Sequence, residues 1–318
     1  MAFFVANTFF FLNQGSKPLQ TKGIGLESGC SGLTFWKFSN QVVKMKTIIA
    51  PTDFSNSSKN AVYYAADLAE SMSALLVLLN VVEVPVAASE IPVAESVFDG
   101  LVNLAGQDLD RLKTEVYSRC KGNLEINSKV IMGNVATGIK EFSEELHPFA
   151  IVMGKKEGNS MARILLGSST LSTVKHNPYP ILIIPDHIRF KGFHKIGLAC
   201  DLRNVIETIP FKLLDDWLSV FSPTLDIIHI SKHERDFKSL NVAESISLEN
   251  HLNKFKPKFN FLTGDKLVDQ LNDFASEHQL DLLIVVPKKH GFLALFDKNH
   301  VSEIIIYNNM AILSIQAS

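Results

Sequence analysis

From residue 46 onward the chain alternates two patterns. Short continuous apolar runs are followed by longer stretches in which apolar residues recur every three or four positions. The first pattern predicts strands buried on both faces; the second predicts helices lying against a sheet. Residues 47–50 are the first such run, closed by Pro51. Ser55, Ser57 and Ser58 then offer N-caps for a helix whose buried stripe is Ala61, Tyr64, Ala65, Leu68 and Ala69. Residues 74–82 predict a second buried strand. A helix follows over about 93–121, with Leu101, Leu104, Leu109, Leu112 and Val116 as its stripe. Strands are expected at 125–131, 149–153 and 180–184, and helices at 136–146 and 169–176.

The order then recurs. Strands are expected at 195–199, 225–230, 258–261, 280–286 and 311–315. Helices are expected at 205–221, 242–255, 265–278 and 301–307. Regular βα alternation predicts an α/β fold with a parallel sheet covered on both faces. The string Ile48-Ile49-Ala50-Pro51-Thr52-Asp53 matches Ile196-Gly197-Leu198-Ala199-Cys200-Asp201, and IVMGKKEG matches IVVPKKHG, which points to an internal repeat. The expected organisation is a disordered extension at 1–44, one domain at 45–186 and a second at 194–318.

The first 44 residues differ from the rest. They hold seven of the 22 phenylalanines, four lysines and a single acidic residue, Glu27. No basic residue precedes the apolar run at 3–12, as a secretory signal would require. That run is also about half of the ~20 residues a membrane helix needs. KTIIAPTDFS directly after Met45 looks like a domain start, so translation from Met45 is the favoured expectation over a natural extension.

The 318 residues are 46% hydrophobic and 20% charged, enough for a real core in about two domains. Net charge is −2, without the basic excess typical of a protein that holds nucleic acid by its phosphates. Three distant cysteines, Cys30, Cys120 and Cys200, give neither a disulfide framework nor metal-ligand spacing. They suit a reducing compartment, and a cytoplasmic protein is expected. His229 and His233 are four apart but fall at an expected strand end, where that spacing does not align them, so no metal site is expected there. The chain lacks a GxxxxGK[ST] loop, a GxSxG elbow and a GxGxxG after the first strand.

Ligands in open α/β sheets bind beyond the carboxyl ends of the strands. Two loops there carry the candidate chemistry. One is Pro51-Thr52-Asp53-Phe54-Ser55. The other starts at Met153-Gly154 and reaches Gly167-Ser168-Ser169. Glycines permit close backbone approach, and the N–H groups at a helix start favour an anion. Asp53 reads equally as a turn residue, and Ser168 as an N-cap.

TIIAPTDFSNSSKNAVYYAADLA resembles the opening of universal stress proteins, and MGKKEGNSMARILLGSSTLSTVKHNPYPILIIP resembles their end. The resemblance implies a five-stranded parallel α/β sandwich of the adenine-nucleotide α-hydrolase type. Applied to both halves, it implies two tandem domains packed as a pseudo-dimer through their last strands, 181–184 beside 313–315. It implies a stress-response regulator that binds ATP, with Mg²⁺ accompanying the phosphates, and at most slow hydrolysis. Nucleotide-binding members carry Gly-x2-Gly-x9-Gly-Ser/Thr. Gly154, Gly167 and Ser168 match three of these places. Glu157 stands at the second glycine, with Gly158 next to it. A side chain where close approach is needed costs about 1 kcal/mol or more. By the same resemblance Asp53 and Val81 line the adenine–ribose site, beside Pro51 and Thr52. The implied nucleotide site is thus Pro51, Thr52, Asp53, Val81, Met153, Gly154, Gly158, Gly167, Ser168 and Ser169. The alternative is a nucleotide-free interaction module.

The second half departs further. It keeps Asp201 but has Ala199-Cys200 for Pro-Thr, Val286-Pro287 at the loop start and Asn299-His300 in place of Gly-Ser. No nucleotide is expected there, and His290 and His300 are expected to be surface residues. A homodimer is a further expectation; nucleic-acid and membrane partners are not expected.

Overall fold

A computed structural model describes residues 45–83, 95–120, 124–155, 168–231, 242–264, 266–287 and 298–317. Lys44–Ser318 forms one compact unit. The extension at 1–44, and with it Cys30, lies outside the described residues, as do Glu157, Gly158, Gly167, His233 and His290.

Each apolar run becomes a strand because both of its faces find a partner. Strand β1 (Thr47–Pro51) places Ile48 and Ala50 in one core and Ile49 in the other, all three fully buried. It is followed by α1 (Asn56–Ser71), β2 (Leu75–Val82), α2 (Glu95–Arg119), β3 (Ile126–Met132) and α3 (Val135–Leu146). Strand β4 (Ala150–Lys155), helix α4 (Ser168–His176) and strand β5 (Ile181–Pro185) complete the first half. The second half comprises β6 (Lys195–Ala199), α5 (Val205–Thr208), α6 (Phe211–Phe221), β7 (Thr224–Ser231) and α7 (Val242–Leu252). It continues with β8 (Lys258–Thr263), α8 (Leu267–His278), β9 (Leu282–Val285), α9 (Lys298–Tyr307) and β10 (Ile312–Ser314).

The strands form one ten-stranded sheet in the order β3-β2-β1-β4-β5-β10-β9-β6-β7-β8. Within each half the described pairings are parallel, as buried apolar runs joined by helical crossovers require. The halves meet at the antiparallel pair β5–β10, with Ile183 opposite Ile312, Leu182 opposite Leu313 and Ile181 opposite Ser314. The expected pairing of the two final strands is therefore present in the fold. Beside it, Phe149 of the first half stacks on Trp217 of the second, centroids 4.5 Å apart. Asn60 fastens the connecting segment by donating to the carbonyls of Pro185 and Ile188.

Four expectations need correction. The stripe of α2 begins at Ala105 and continues through Leu109, Leu112 and Val116, while Leu101 and Leu104 are 40% and 59% exposed. The cause is length. Twenty-five helical residues run about 37 Å, and the seven of neighbouring β3 about 23 Å, so the first turns of α2 overshoot the sheet. The helix expected over 205–221 is broken by Pro210, which lacks an N–H and holds Ile209 extended (φ −86°, ψ 119°). The helix expected over 242–255 ends at Leu252 and tightens into a 3-10 turn at Asn253–Phe255. Finally, the repeat of IVMGKKEG in IVVPKKHG is displaced by one. Ile48 pairs with Ala150 and Ile196 with Leu282, so Gly154 corresponds in the sheet to Val286, not to Pro287. A one-residue shift reverses which face a side chain occupies, and burial of alternate residues sets the register, not letter identity.

The seam predicts its own sensitivity. Leu313→Ala empties a fully buried position and is expected to cost about 2–5 kcal/mol in urea unfolding. A loss below about 1 kcal/mol would contradict a tightly packed seam.

Candidate functional site

At the carboxyl end of the first-half strands lies a cavity of about 440 Å³. Pro51, Thr52, Asp53, Val81, Met153, Gly154 and Ser169 all line it, so seven of the ten expected site residues meet in one place. Ser168 begins α4 beside them. Sequence reasoning did not assign Leu79, Glu83, Ser57, Ser58, Val135 and Thr170 to this wall. Leu79 and Glu83 were within reach of it: period-2 alternation along β2 puts them on the face of Val81. Val135 has no such signal, because a crossover brings it there.

The turn from β1 into α1 builds the polar edge. The Asp53 carboxylate accepts from the Ser55 N–H (3.0 Å) and the Ser55 hydroxyl (2.6 Å). Burial alone would raise its pKa, but the Ser55 and Ser58 hydroxyls and the local N–H groups outweigh that and hold it below the usual value. Ser55 caps α1, its hydroxyl oxygen accepting from the Ser58 N–H. Thr52 holds the turn from behind. Its hydroxyl accepts from the Phe54 N–H, and its carbonyl accepts from Asn80 Nδ2 at 2.7 Å. The turn forces Phe54 into the left-handed region (φ 63°), a conformation that costs a non-glycine residue about 1–3 kcal/mol.

Gly154 is fixed by packing. A Cβ there would stand 2.4 Å from the Ser57 carbonyl oxygen, so only glycine lets α1 begin this close to β4. One residue on, Lys155 is 2% exposed and donates from Nζ to the Asn308 carbonyl, 2.6 Å away at the end of α9. The carboxyl end of β4 is thereby tied to the other half.

The second half repeats the turn. Leu202 is left-handed like Phe54 (φ 51°), Asp201 accepts from the Arg203 N–H as Asp53 does from Ser55, and the ring of His229 stands where Asn80 does. His229 Nδ1 lies 3.0 Å from the Cys200 carbonyl, which can only accept, so the proton is on Nδ1. Yet Asp201 is 2% exposed, and at the Gly154 position Val286 places a buried side chain. The polar edge that opens on a cavity in the first half is sealed in the second. Among the described residues no cluster of three or more His, Cys, Asp or Glu is arranged to hold a metal. Among them also, no helix is long and apolar enough to cross a membrane.

Comparison with known proteins agrees with this architecture. Residues 44–185 match the universal stress protein family. A universal stress protein of Methanocaldococcus jannaschii is 29% identical over 140 residues, covering 44% of this chain and 81% of the relative. The first half belongs to the universal stress protein family. For the whole chain the likeness is one of fold. The crystal structure of a universal stress protein from Archaeoglobus fulgidus superposes with a TM-score of 0.65 at 14% identity, covering 86% of this chain and 99% of the other. A Pseudomonas aeruginosa protein of unknown function gives 0.57 at 12% identity, covering 86% and 93%. Both halves of the chain share a mixed α/β architecture with a mostly parallel sheet.

Two outcomes follow from the local geometry. Gly154→Ala is expected to lower ligand-free stability by about 1–3 kcal/mol, read by thermal or urea unfolding, because backbone must move. Burial holds the His229 pKa below its usual 6.5, partly offset by the Cys200 carbonyl. Its contribution to stability is therefore complete above pH 6.5 and is lost as the pH falls below that value. His229→Asn, with the amide found at Asn80, is expected to fold and to flatten this acid dependence. His229→Leu leaves the Cys200 carbonyl without its donor and is expected to cost about 1–3 kcal/mol at neutral pH. Equal acid dependence in the natural protein and His229→Asn would rule out this origin.

Proposed function

We propose that this protein is a cytoplasmic stress-response regulator that binds an adenine nucleotide in its first half and none in its second. The observation that carries the proposal is the convergence of seven expected residues on one cavity at the carboxyl ends of β1, β2 and β4. The described wall fits the nucleoside part of such a ligand. Leu79, Val81 and Met153 supply apolar surface for a flat base, and the ionised Asp53 carboxylate is an acceptor for ribose hydroxyls. Gly158, Gly167 and Ser168 are the residues proposed to hold the phosphates, together with any Mg²⁺ that accompanies them. The sealed edge around Asp201 supports a single site per chain. Recurrence of the same turn and strand order supports a tandem duplication, with domains at 45–186 and 194–318.

One observation favours the second reading, a nucleotide-free interaction module. The described cavity wall carries two carboxylates, Asp53 and Glu83, and no lysine, arginine or histidine. Nucleotide retained through purification supports binding; binding that appears only in Glu157→Gly supports the module.

Isothermal titration with ATP and Mg²⁺ tests the proposal. Saturable binding is expected, weakened at least about tenfold by Asp53→Ala through loss of a charge-assisted contact. No heat at millimolar nucleotide would overturn it.

A further inference from the structure

A second cavity, of about 360 Å³, opens at the opposite end of the sheet, beside the amino ends of β1 and β4. Both halves build it. Lys46, Phe149 and Tyr179 come from the first; Leu213, Asp216 and Trp217 come from α6 of the second. Its floor is aromatic. The Phe149 and Trp217 rings are nearly parallel, 18° apart, and the Lys46 ammonium lies 4.5 Å from the Phe149 centroid. Tyr179 is held in place by a 2.5 Å hydrogen bond between its hydroxyl and His147 Nδ1. Three prolines, Pro148, Pro178 and Pro180, stiffen the segments that frame it.

Two opposite charges complete the wall. Lys46 and Asp216 feel each other electrostatically, yet no ion pair joins them among the described residues. Burial is the larger influence on Lys46 and lowers its pKa, with Asp216 acting the other way. Trp217 is 1% exposed, and its indole N–H has no acceptor among the described residues. An apolar, partly aromatic wall with one cation and one separate anion makes a complementary set for one kind of molecule.

We propose that this cavity is a binding site for a small zwitterion with an aromatic side chain, of the size and chemistry of a free aromatic amino acid. Its carboxylate pairs with Lys46, its ammonium pairs with Asp216, and its ring packs among Tyr179, Leu213 and the accessible edge of Phe149, with the buried Trp217 behind them. Such a ligand touches both halves and so stabilises their seam. Small-molecule sites favour interfaces of this kind.

The test is isothermal titration of the full-length protein with L-phenylalanine, together with its two single-charge analogues, phenylpropionate and phenethylamine. Trp217 emission gives a second readout, and Trp217→Phe assigns the signal against Trp36. Saturable binding of phenylalanine is expected, at least about tenfold tighter than either analogue. Lys46→Gln and Asp216→Asn should each weaken it by about tenfold or more while the melting temperature of the free protein stays unchanged. No saturable response at millimolar phenylalanine would overturn the proposal. So would analogues that bind as well as phenylalanine, or affinity that neither variant changes.

Discussion

The pairing of β5 with β10 is the constraint on which the molecule depends. Each half ends on a short strand that is almost wholly apolar and would otherwise present an unpaired edge. Free edges of this composition attract other chains. Here the two edges satisfy one another, and because they run antiparallel, a pseudo-twofold relation follows for everything attached to them. The outer edges of the sheet are then β3 and β8, whose side chains are largely solvent-facing.

Set symmetrically about that seam, the same βα turn has two fates. Both copies hold a left-handed residue after the aspartate, and both brace the preceding carbonyl with a side chain from the neighbouring strand. One difference between them lies in the fourth strand of each half. Glycine there admits the start of α1; in the second half Val286 is buried at that place, and the helix after the turn is short and interrupted at Pro210. A backbone motif can thus persist after the space it framed has gone.

Much of this was legible in the amino-acid sequence. Strand and helix alternation follows from apolar runs and caps, and loop position marks the turns after β1 and β4, because those signals are local; the seam pairing and the place of Val81 come from the resemblance to universal stress proteins. The unforeseen features are set by distance relations that local patterns do not carry. How far α2 overshoots its sheet decides the exposure of Leu101 and Leu104. Similarity of letters misplaced the second-half loop by one residue, because only pairing with β6 fixes which face Val286 occupies. The aromatic cavity at the seam draws Phe149 and Trp217 from positions far apart in the chain, and no spacing rule joins them.

The buried lysine after Gly154 has a consequence for how the halves may be treated. Its ammonium donates to a carbonyl at the end of α9, in the other half of the chain. An excised first half would lose the carbonyl that Lys155 donates to at the end of β4. The second half therefore acts on the first as a splint.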